Sequence, residues 1–264
     1  MKRSLTAALF FLVSLISASC SKSVFSNGMP VTEDRPIGHF RAISMHNNVN
    51  VKLVNDNSPR LELTCPANLI DKITTEVQGD TLVIKNENKF NWLRSTNYNI
   101  DLTVYYDSLR EINYASIGDL RCTDPLIGVP HSFLDTVVQG NDTSFVWESV
   151  DRAMFLYVNE GSGDIDLNFD CEIIKNMFVN GTSKVILRGT TGYAEHITRS
   201  YGMIDARHLD SNITIVETLS TNNVYVWARS ILKVQLYSLG NIYYKGNPEI
   251  SIEACTSDGR LIPL

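Results

Sequence analysis

The residues best suited to chemistry in this sequence form an aromatic and basic set in its second half. The set consists of Tyr225, Trp227, Tyr243, Arg188, Arg207 and Lys245. Flat aromatic faces bind sugar rings, and neighbouring basic groups suit acidic glycans or carboxylates. These residue types therefore predict a ligand-binding strip on one outer face. The alternative is that the side chains only stack on one another between neighbouring strands, or lie under a capping segment.

Carboxylates offer a second kind of chemistry. β-Helical enzymes that cleave polysaccharides cluster carboxylates on neighbouring turns of the chain, sometimes around Ca²⁺. Asp119 and Asp164 share one position of the repeat described below, and Asp166 and Asp205 share another. We expect a further repeat to lie between the members of each pair, and Asp is common at turns in any case. The sequence therefore predicts no catalytic site. A carbohydrate-active enzyme, either a polysaccharide lyase or a hydrolase, is the alternative.

Other sites are not indicated. The Gly161-Ser-Gly163 segment is interpreted as a corner rather than a nucleophile elbow. No short metal-binding spacing joins the five histidines, which are His39, His46, His131, His196 and His208. The 29 acidic residues outnumber the 23 basic ones, whereas a nucleic-acid-binding protein needs a concentrated basic face. We therefore expect no cofactor, no metal and no nucleic-acid partner.

The N-terminus has the layout of an export signal. Lys2 and Arg3 supply positive charge, and the apolar run after them is too short to cross ~30 Å of hydrocarbon as a helix. Small residues then lead to Cys20, an arrangement that resembles a bacterial lipobox, although Ser17 stands where leucine is common. We predict a lipoprotein signal peptide over residues 1–19, a lipid on Cys20 and an outer-membrane location. The alternative is an ordinary signal peptide that is cut nearby.

Four further cysteines could pair in an exported protein. They are Cys65, Cys122, Cys171 and Cys255. Their even number permits disulfides, but their spacings match no zinc site. Apolar burial of single thiols is slightly favoured, and pairing stays open.

The second half of the chain repeats an apolar position about every twenty residues. The repeated anchors are Leu120, Phe145, Ile165, Val185, Ile204, Val224, Ile242 and Leu261. Two residues before them stand Gly118, Thr143, Gly163, Ser183, Gly202, Asn222, Gly240 and Gly259. The glycines indicate a tight turn in every repeat, often with positive φ. Each anchor and the residue two further on are nearly always apolar, which places both on one buried face.

These patterns predict an all-β protein, built as a right-handed parallel β-helix-like solenoid with rungs of about twenty residues. We interpret residues 20–35 as a tether and residues 36–264 as a single domain. Within that domain, residues 108–264 supply eight repeats, and residues 36–107 form a β-rich section that caps them or adds irregular rungs. The clearest element of this section is a hairpin over residues 76–84. Residues 69–77 are ambiguous between helix and strand.

Four segments are similar to the head GIN domain family, which is labelled an auto-transporter adhesin. They are Asn48–Leu53, Ala67–Asp71, Gly79–Ile84 and Gly240–Pro248. The resemblance covers residues 37–264 and departs from the family where Thr143, Ser183 and Asn222 replace turn glycines. It implies a β-helix-like fold on lipoproteins of Bacteroides-type bacteria, with an adhesion role and no catalytic residues. The function expected is therefore a non-catalytic envelope lipoprotein that binds glycans or surface proteins, or acts as a scaffold.

Overall fold

Strands form almost all the regular structure in residues 28–89, 98–139 and 142–264, the part of the chain that the structure, a computed structural model, describes. The strands are β1 (Pro30–Pro36), β2 (Ala42–Asn47), β3 (Asn50–Asn55), β4 (Arg60–Pro66), β5 (Ile73–Gln78), β6 (Thr81–Asn86), β7 (Asp101–Tyr106), β8 (Glu111–Ser116), β9 (Leu120–Cys122), β10 (Val129–Gln139), β11 (Asp142–Gly161), β12 (Ile165–Phe178), β13 (Lys184–Thr198), β14 (Met203–Thr218), β15 (Val224–Leu236), β16 (Ile242–Lys245), β17 (Glu249–Cys255) and β18 (Leu261–Pro263). One 3-10 turn, Ile70–Lys72, is the only helical element in these ranges. The all-β prediction is confirmed. The predicted signal peptide and Cys20 lie outside the described residues.

Seven of the eight predicted anchors stack in one column of parallel strands. This anchor column runs through Leu120, Ile165, Val185, Ile204, Val224, Ile242 and Leu261, each paired with the next. The first six are at most 1% exposed, which makes the column part of the core. The sequence period of about twenty residues is thus the register by which successive strands pair.

Phe145 does not belong to this column. It lies in an antiparallel hairpin of β10 and β11, opposite Thr136. Leu120 pairs directly with Ile165 instead, because the hairpin is inserted between their two strands in the chain. The prediction of eight stacked repeats was therefore wrong by one. The spacing from Leu120 to Phe145 is longer than that between the other successive anchors, and it marks the insertion.

A second column completes the core. It runs in parallel register through Ile112, Leu156, Asn176, His196, Val216 and Val234, which are at most 1% exposed, and ends at Ile252, which is 57% exposed. The long strands β12, β13, β14 and β15 contribute their first part to the anchor column and their later part to this second column. Buried residues alternate along both parts of these strands and belong to one hydrophobic cluster. Each buried aliphatic side chain stabilises the stack by about 1.5–3 kcal/mol.

The turn glycines before the anchors are required by space rather than by backbone conformation. Five positions two residues before an anchor are glycine, yet none of them has positive φ. An added Cβ at Gly240 would lie 2.1 Å from the carbonyl oxygen of Asn222 in the preceding turn. The expectation of positive φ at these positions was wrong. It holds instead two residues earlier, at Gly161 and Gly181, where φ is +140° and +116°.

The N-terminal section contributes strands to one end of the stack. β2 pairs with β6 on one side and β8 on the other, and β3 lies in the same way between β7 and β9. Beyond them β4 pairs antiparallel with β7, and β1 pairs antiparallel with β4. β5 and β6 form the predicted hairpin, so residues 73–78 are strand rather than helix.

The four cysteines of the described chain are free. Burial raises the pKa of Cys65 to about 11 and that of Cys171 to about 12. Cys122 accepts a hydrogen bond from the backbone N–H of Asn168, whereas Cys255 is exposed. The slight preference for singly buried thiols is confirmed for Cys65 and Cys171, whereas Cys122 is half-buried.

Candidate binding surface

Three aromatic side chains of the predicted strip are brought together on the outer face of the anchor column. Tyr225 and Tyr243 occupy paired positions on β15 and β16, and their rings stack with centroids 4.9 Å apart and planes 14° from parallel. Trp227 follows on the same side of β15 and is paired with Lys245. Each aromatic ring is half-buried. Period-two alternation along two neighbouring strands thus produces an aromatic surface two strands wide.

Cations lie over two of these rings. The guanidinium carbon of Arg207 is 4.1 Å from the Tyr225 ring centroid, and Lys245 Nζ is 3.6 Å from that of Trp227. Arg207 Nε also donates a 2.7 Å hydrogen bond to Asp205. The side chains therefore stack on one another, and the stack holds two aromatic–cation pairs in fixed orientations. We call Arg207, Tyr225, Trp227, Tyr243 and Lys245 the aromatic strip.

Arg188 does not join the aromatic strip. It pairs in register with His208 rather than Arg207, because the β13–β14 pairing shifts after Ile186. Its guanidinium donates two hydrogen bonds to Asp166, of 2.9 and 3.1 Å. This bidentate pair raises the pKa of Arg188 and occupies the group. The prediction that Arg188 continues the row was wrong, since a local bulge displaces the register.

The candidate catalytic aspartates serve structural contacts. Asp119 Oδ1 accepts a 3.0 Å hydrogen bond from the backbone N–H of Asp164, so these two residues lie in adjacent turns, just before β9 and β12. The expectation of an intervening repeat was wrong here because it counted Phe145 as an anchor. It is confirmed for Asp166 and Asp205, which have Ile186 between them.

Three of these four carboxylates also accept a hydrogen bond from an arginine. Asp119 binds Arg121, while Asp166 and Asp205 bind the arginines already described. Over the described ranges, no cluster of three or more His, Cys, Asp or Glu side chains is arranged to hold a metal ion. The aspartates thus fix turns and balance charge on neighbouring strands.

A buried histidine was not distinguished in the sequence. His196 lies in the second column beside Asn176, and both are 1% exposed. His196 Nδ1 and both polar side-chain atoms of Asn176 have no hydrogen-bond partner. Burial lowers the pKa of His196 to about 4, which keeps the imidazole neutral. The alternating pattern of β13 could have indicated this burial, because position 196 falls on the inward side.

A groove lies on the same outer face but farther toward the N-terminal end. It has a volume of about 590 Å³ and is bordered by β3, β7 and β9. Lys52, Arg121, Asp101 and Asp119 supply its charges. Arg121 is already paired with Asp119 at 2.8 Å. The groove could not be predicted from the sequence, because the neighbouring order of β3, β7 and β9 is not the chain order.

Comparison with known proteins identifies the family. The family model described as "Putative auto-transporter adhesin, head GIN domain" matches residues 39–248. A comparison with curated proteins gives no match. The part of the chain that the structure describes contains no helix with the length and hydrophobicity of a membrane span.

Solved structures share the fold at low sequence identity. A protein described as a "putative adhesin", from Bacteroides fragilis NCTC 9343, is 17% identical with a TM-score of 0.73, and the match covers 89% of this chain and 97% of that one. A protein described as a "Putative lipid binding protein", from Parabacteroides distasonis ATCC 8503, is 20% identical with a TM-score of 0.64, over 92% and 100% of the two chains. A "putative adhesin" from the latter organism is 15% identical with a TM-score of 0.55, over 90% and 98%. At these identities the likeness concerns the fold alone.

Proposed function

This chain belongs to the head GIN domain family, and on that premise we propose that it is a non-catalytic, adhesin-like binding module of the cell envelope. The ligand class that the residues favour is a glycan, or a glycan-bearing surface protein. The observation that carries this proposal is the aromatic strip, in which Tyr225 and Tyr243 present a stacked pair beside Trp227. Stacked aromatic rings offer a flat apolar surface of the kind on which sugar rings rest.

The positive charges of the aromatic strip favour acidic glycans within that ligand class. Arg207 and Lys245 lie over aromatic rings, so their positive charge is held at the strip rather than free to move. Asp205 neutralises part of the charge of Arg207, whereas Lys245 is exposed. A carboxylate or sulfate on a bound sugar would meet Lys245 first.

An enzyme is the less favoured alternative. A glycoside hydrolase needs two carboxyl groups that face each other across a substrate, with roughly 5–9.5 Å between them. Asp119, Asp166 and Asp205 are each engaged by an arginine instead.

The proposal also covers the handedness of the fold and the cellular location of the protein. Parallel pairing of each strand with the equivalent strand about twenty residues later supports a right-handed β-helix-like solenoid. The N-terminal sequence supports a lipid on Cys20 and attachment to the outer membrane. Some relatives of this fold are described as adhesins, which agrees with a place at the envelope.

A binding screen tests the proposal. The mature protein would be applied to a glycan array and to envelope extracts, in parallel with an assay for polysaccharide degradation. We expect binding without release of sugar fragments, and a loss of at least tenfold in affinity when Tyr225 and Trp227 are both changed to alanine. The matched control is Tyr105→Ala, because Arg60 lies 3.6 Å over that ring on a distant strand. Equal binding by the double variant would refute the assignment of the strip, and fragments appearing with time would favour the enzyme.

A further inference from the structure

One corner of the stack carries a row of exposed apolar side chains. They are Ile117, Val179, Tyr201, Leu219, Tyr237 and Leu239, which are between 41% and 67% exposed. All six lie in the turns through which the chain passes from the second column to the anchor column. We call this row the corner ridge. With strands about 4.8 Å apart, it extends over roughly 24 Å.

The opposite corner has a different composition. Its exposed residues within β12, β13, β14 and β15 and in and after β16 are polar or glycine: Asp170, Thr190, Gly192, His208, Asn212, Arg229, Ser230, Lys245, Gly246 and Asn247. At the corner ridge the chain turns between successive strands, whereas at the opposite corner it bends mostly within the long strands. A series of exposed apolar residues on one side of a folded chain indicates a contact surface.

The corner ridge has no free strand edge to offer to another protein chain. The backbone N–H of Leu219 donates to Thr198 in the preceding turn, and that of Tyr237 donates to Thr218. Val179 makes the equivalent bond to Val158. The corner ridge therefore offers side chains and paired backbone groups, so it suits a deformable apolar partner better than an added peptide strand.

The chain enters the described fold at this same edge. Pro30 pairs with Pro66 at the start of β1, and Thr64 pairs with Asp101 at the start of β7. Asp101 pairs with Asn50. Both residues lie at the edge of the stack where the strands that follow the corner-ridge turns begin. Met29 precedes β1 there and is 81% exposed. A short segment thus separates the ridge edge from Cys20, the predicted site of the lipid.

From the apolar row and the entry point of the chain on one edge, we propose that the corner ridge lies against the surface of a lipid bilayer. Tyrosine and aliphatic side chains are the types that occupy the boundary between headgroups and acyl chains. Arg199 and Glu217 flank the row and pair with each other at 3.6 Å, so contact does not require anionic lipid. The strands that begin at the corner ridge run away from the membrane toward the aromatic strip, which remains accessible to a ligand.

Photolabelling from the lipid phase tests this contact. The full-length protein would be reconstituted in vesicles of phosphatidylethanolamine and phosphatidylglycerol that contain a photoactivatable phospholipid, and labelled peptides would be located by mass spectrometry. We expect label on the turns of Tyr201, Leu219 and Leu239. We expect at least fivefold less on the turns of Thr190 and Arg229.

Variants distinguish a specific contact of the corner ridge from nonspecific association with the membrane. Leu219→Ser with Leu239→Ser should reduce labelling of the ridge severalfold, with circular dichroism checking that the fold is kept. The matched control is Ile127→Ser, because Ile127 is 43% exposed and lies beside Leu126 at the opposite corner. Equal labelling of both corners, no labelling of the ridge, or an unchanged pattern in the double variant would overturn the proposal. Glycan binding is measured without vesicles, so failure of one proposal leaves the other intact.

Discussion

Leu120 and Ile165 are direct neighbours in parallel register, although the β10–β11 hairpin lies between them in the chain. Both side chains are fully buried. The core therefore continues past the insertion without a gap, and Ile165 is covered by Leu120 on one side and Val185 on the other. This position joins the N-terminal strands to the regular repeats.

A charge at Ile165 should disrupt this junction. We expect Ile165→Asp to destabilise the protein by more than about 4 kcal/mol, because an unpaired carboxylate would have to be buried between two aliphatic side chains. Urea unfolding followed by circular dichroism measures the change. The matched control is Ile186→Lys on the outer face between Asp166 and Asp205, where the free energy of unfolding should change by less than about 1 kcal/mol. Similar losses in both variants would contradict this account of the core.

A methyl group at Gly240 should also be costly. Its Cβ would lie 2.1 Å from the carbonyl oxygen of Asn222 and 2.6 Å from that of Ser220, so adjacent turns would have to separate. We expect Gly240→Ala to lower the free energy of unfolding by about 1–3 kcal/mol. Gly38→Ala is the control, since no atom lies within 4 Å of its added Cβ. A neutral Gly240→Ala would mean that the turns are less closely packed than described.

The buried His196 should make stability depend on pH. Its folded pKa of about 4 lies below the unfolded value of ~6.5, so between these values the unfolded chain binds more protons. The stabilising effect of the neutral ring is full above pH 6.5 and is lost as the pH falls toward 4. From pH 7 to pH 5 we expect the wild type to lose about 2 kcal/mol more than His196→Leu. Equal losses would show that His196 is protonated, or solvated, in the folded protein.

The repeat itself was visible in the sequence because burial imposes it. Residues that stack in register face the same core, so seven anchors recur as apolar residues at nearly constant spacing. Phe145 fits the same pattern because a hairpin also alternates apolar and polar residues between turns. Spacing alone does not distinguish an antiparallel insertion from a parallel repeat.

The candidate site was predicted in part for a similar reason. Tyr225, Trp227 and Tyr243 share a face because β15 and β16 keep strict register. Arg188 was misplaced because a bulge in the β13–β14 pairing depends on backbone geometry, not on a residue type that marks it. The glycine column was recognised, but its cause is the approach of a neighbouring carbonyl. Such an approach is a tertiary contact that no single turn reveals.

The position of residues 42–55 has a consequence for biosynthesis. Their strands, β2 and β3, lie between β6 and β7 on one side and β8 and β9 on the other, and both sets of partners are made later. A nascent chain therefore cannot complete its layers in the order of translation, because an early segment has to wait for partners from two later ones. Closure of this interlocked section requires contacts distant in sequence, which form slowly compared with the neighbouring pairings farther along. The layers near the C-terminal end follow chain order and can add one at a time to an existing edge. The pairing order thus predicts a nonlocal folding nucleus followed by sequential extension within a single chain.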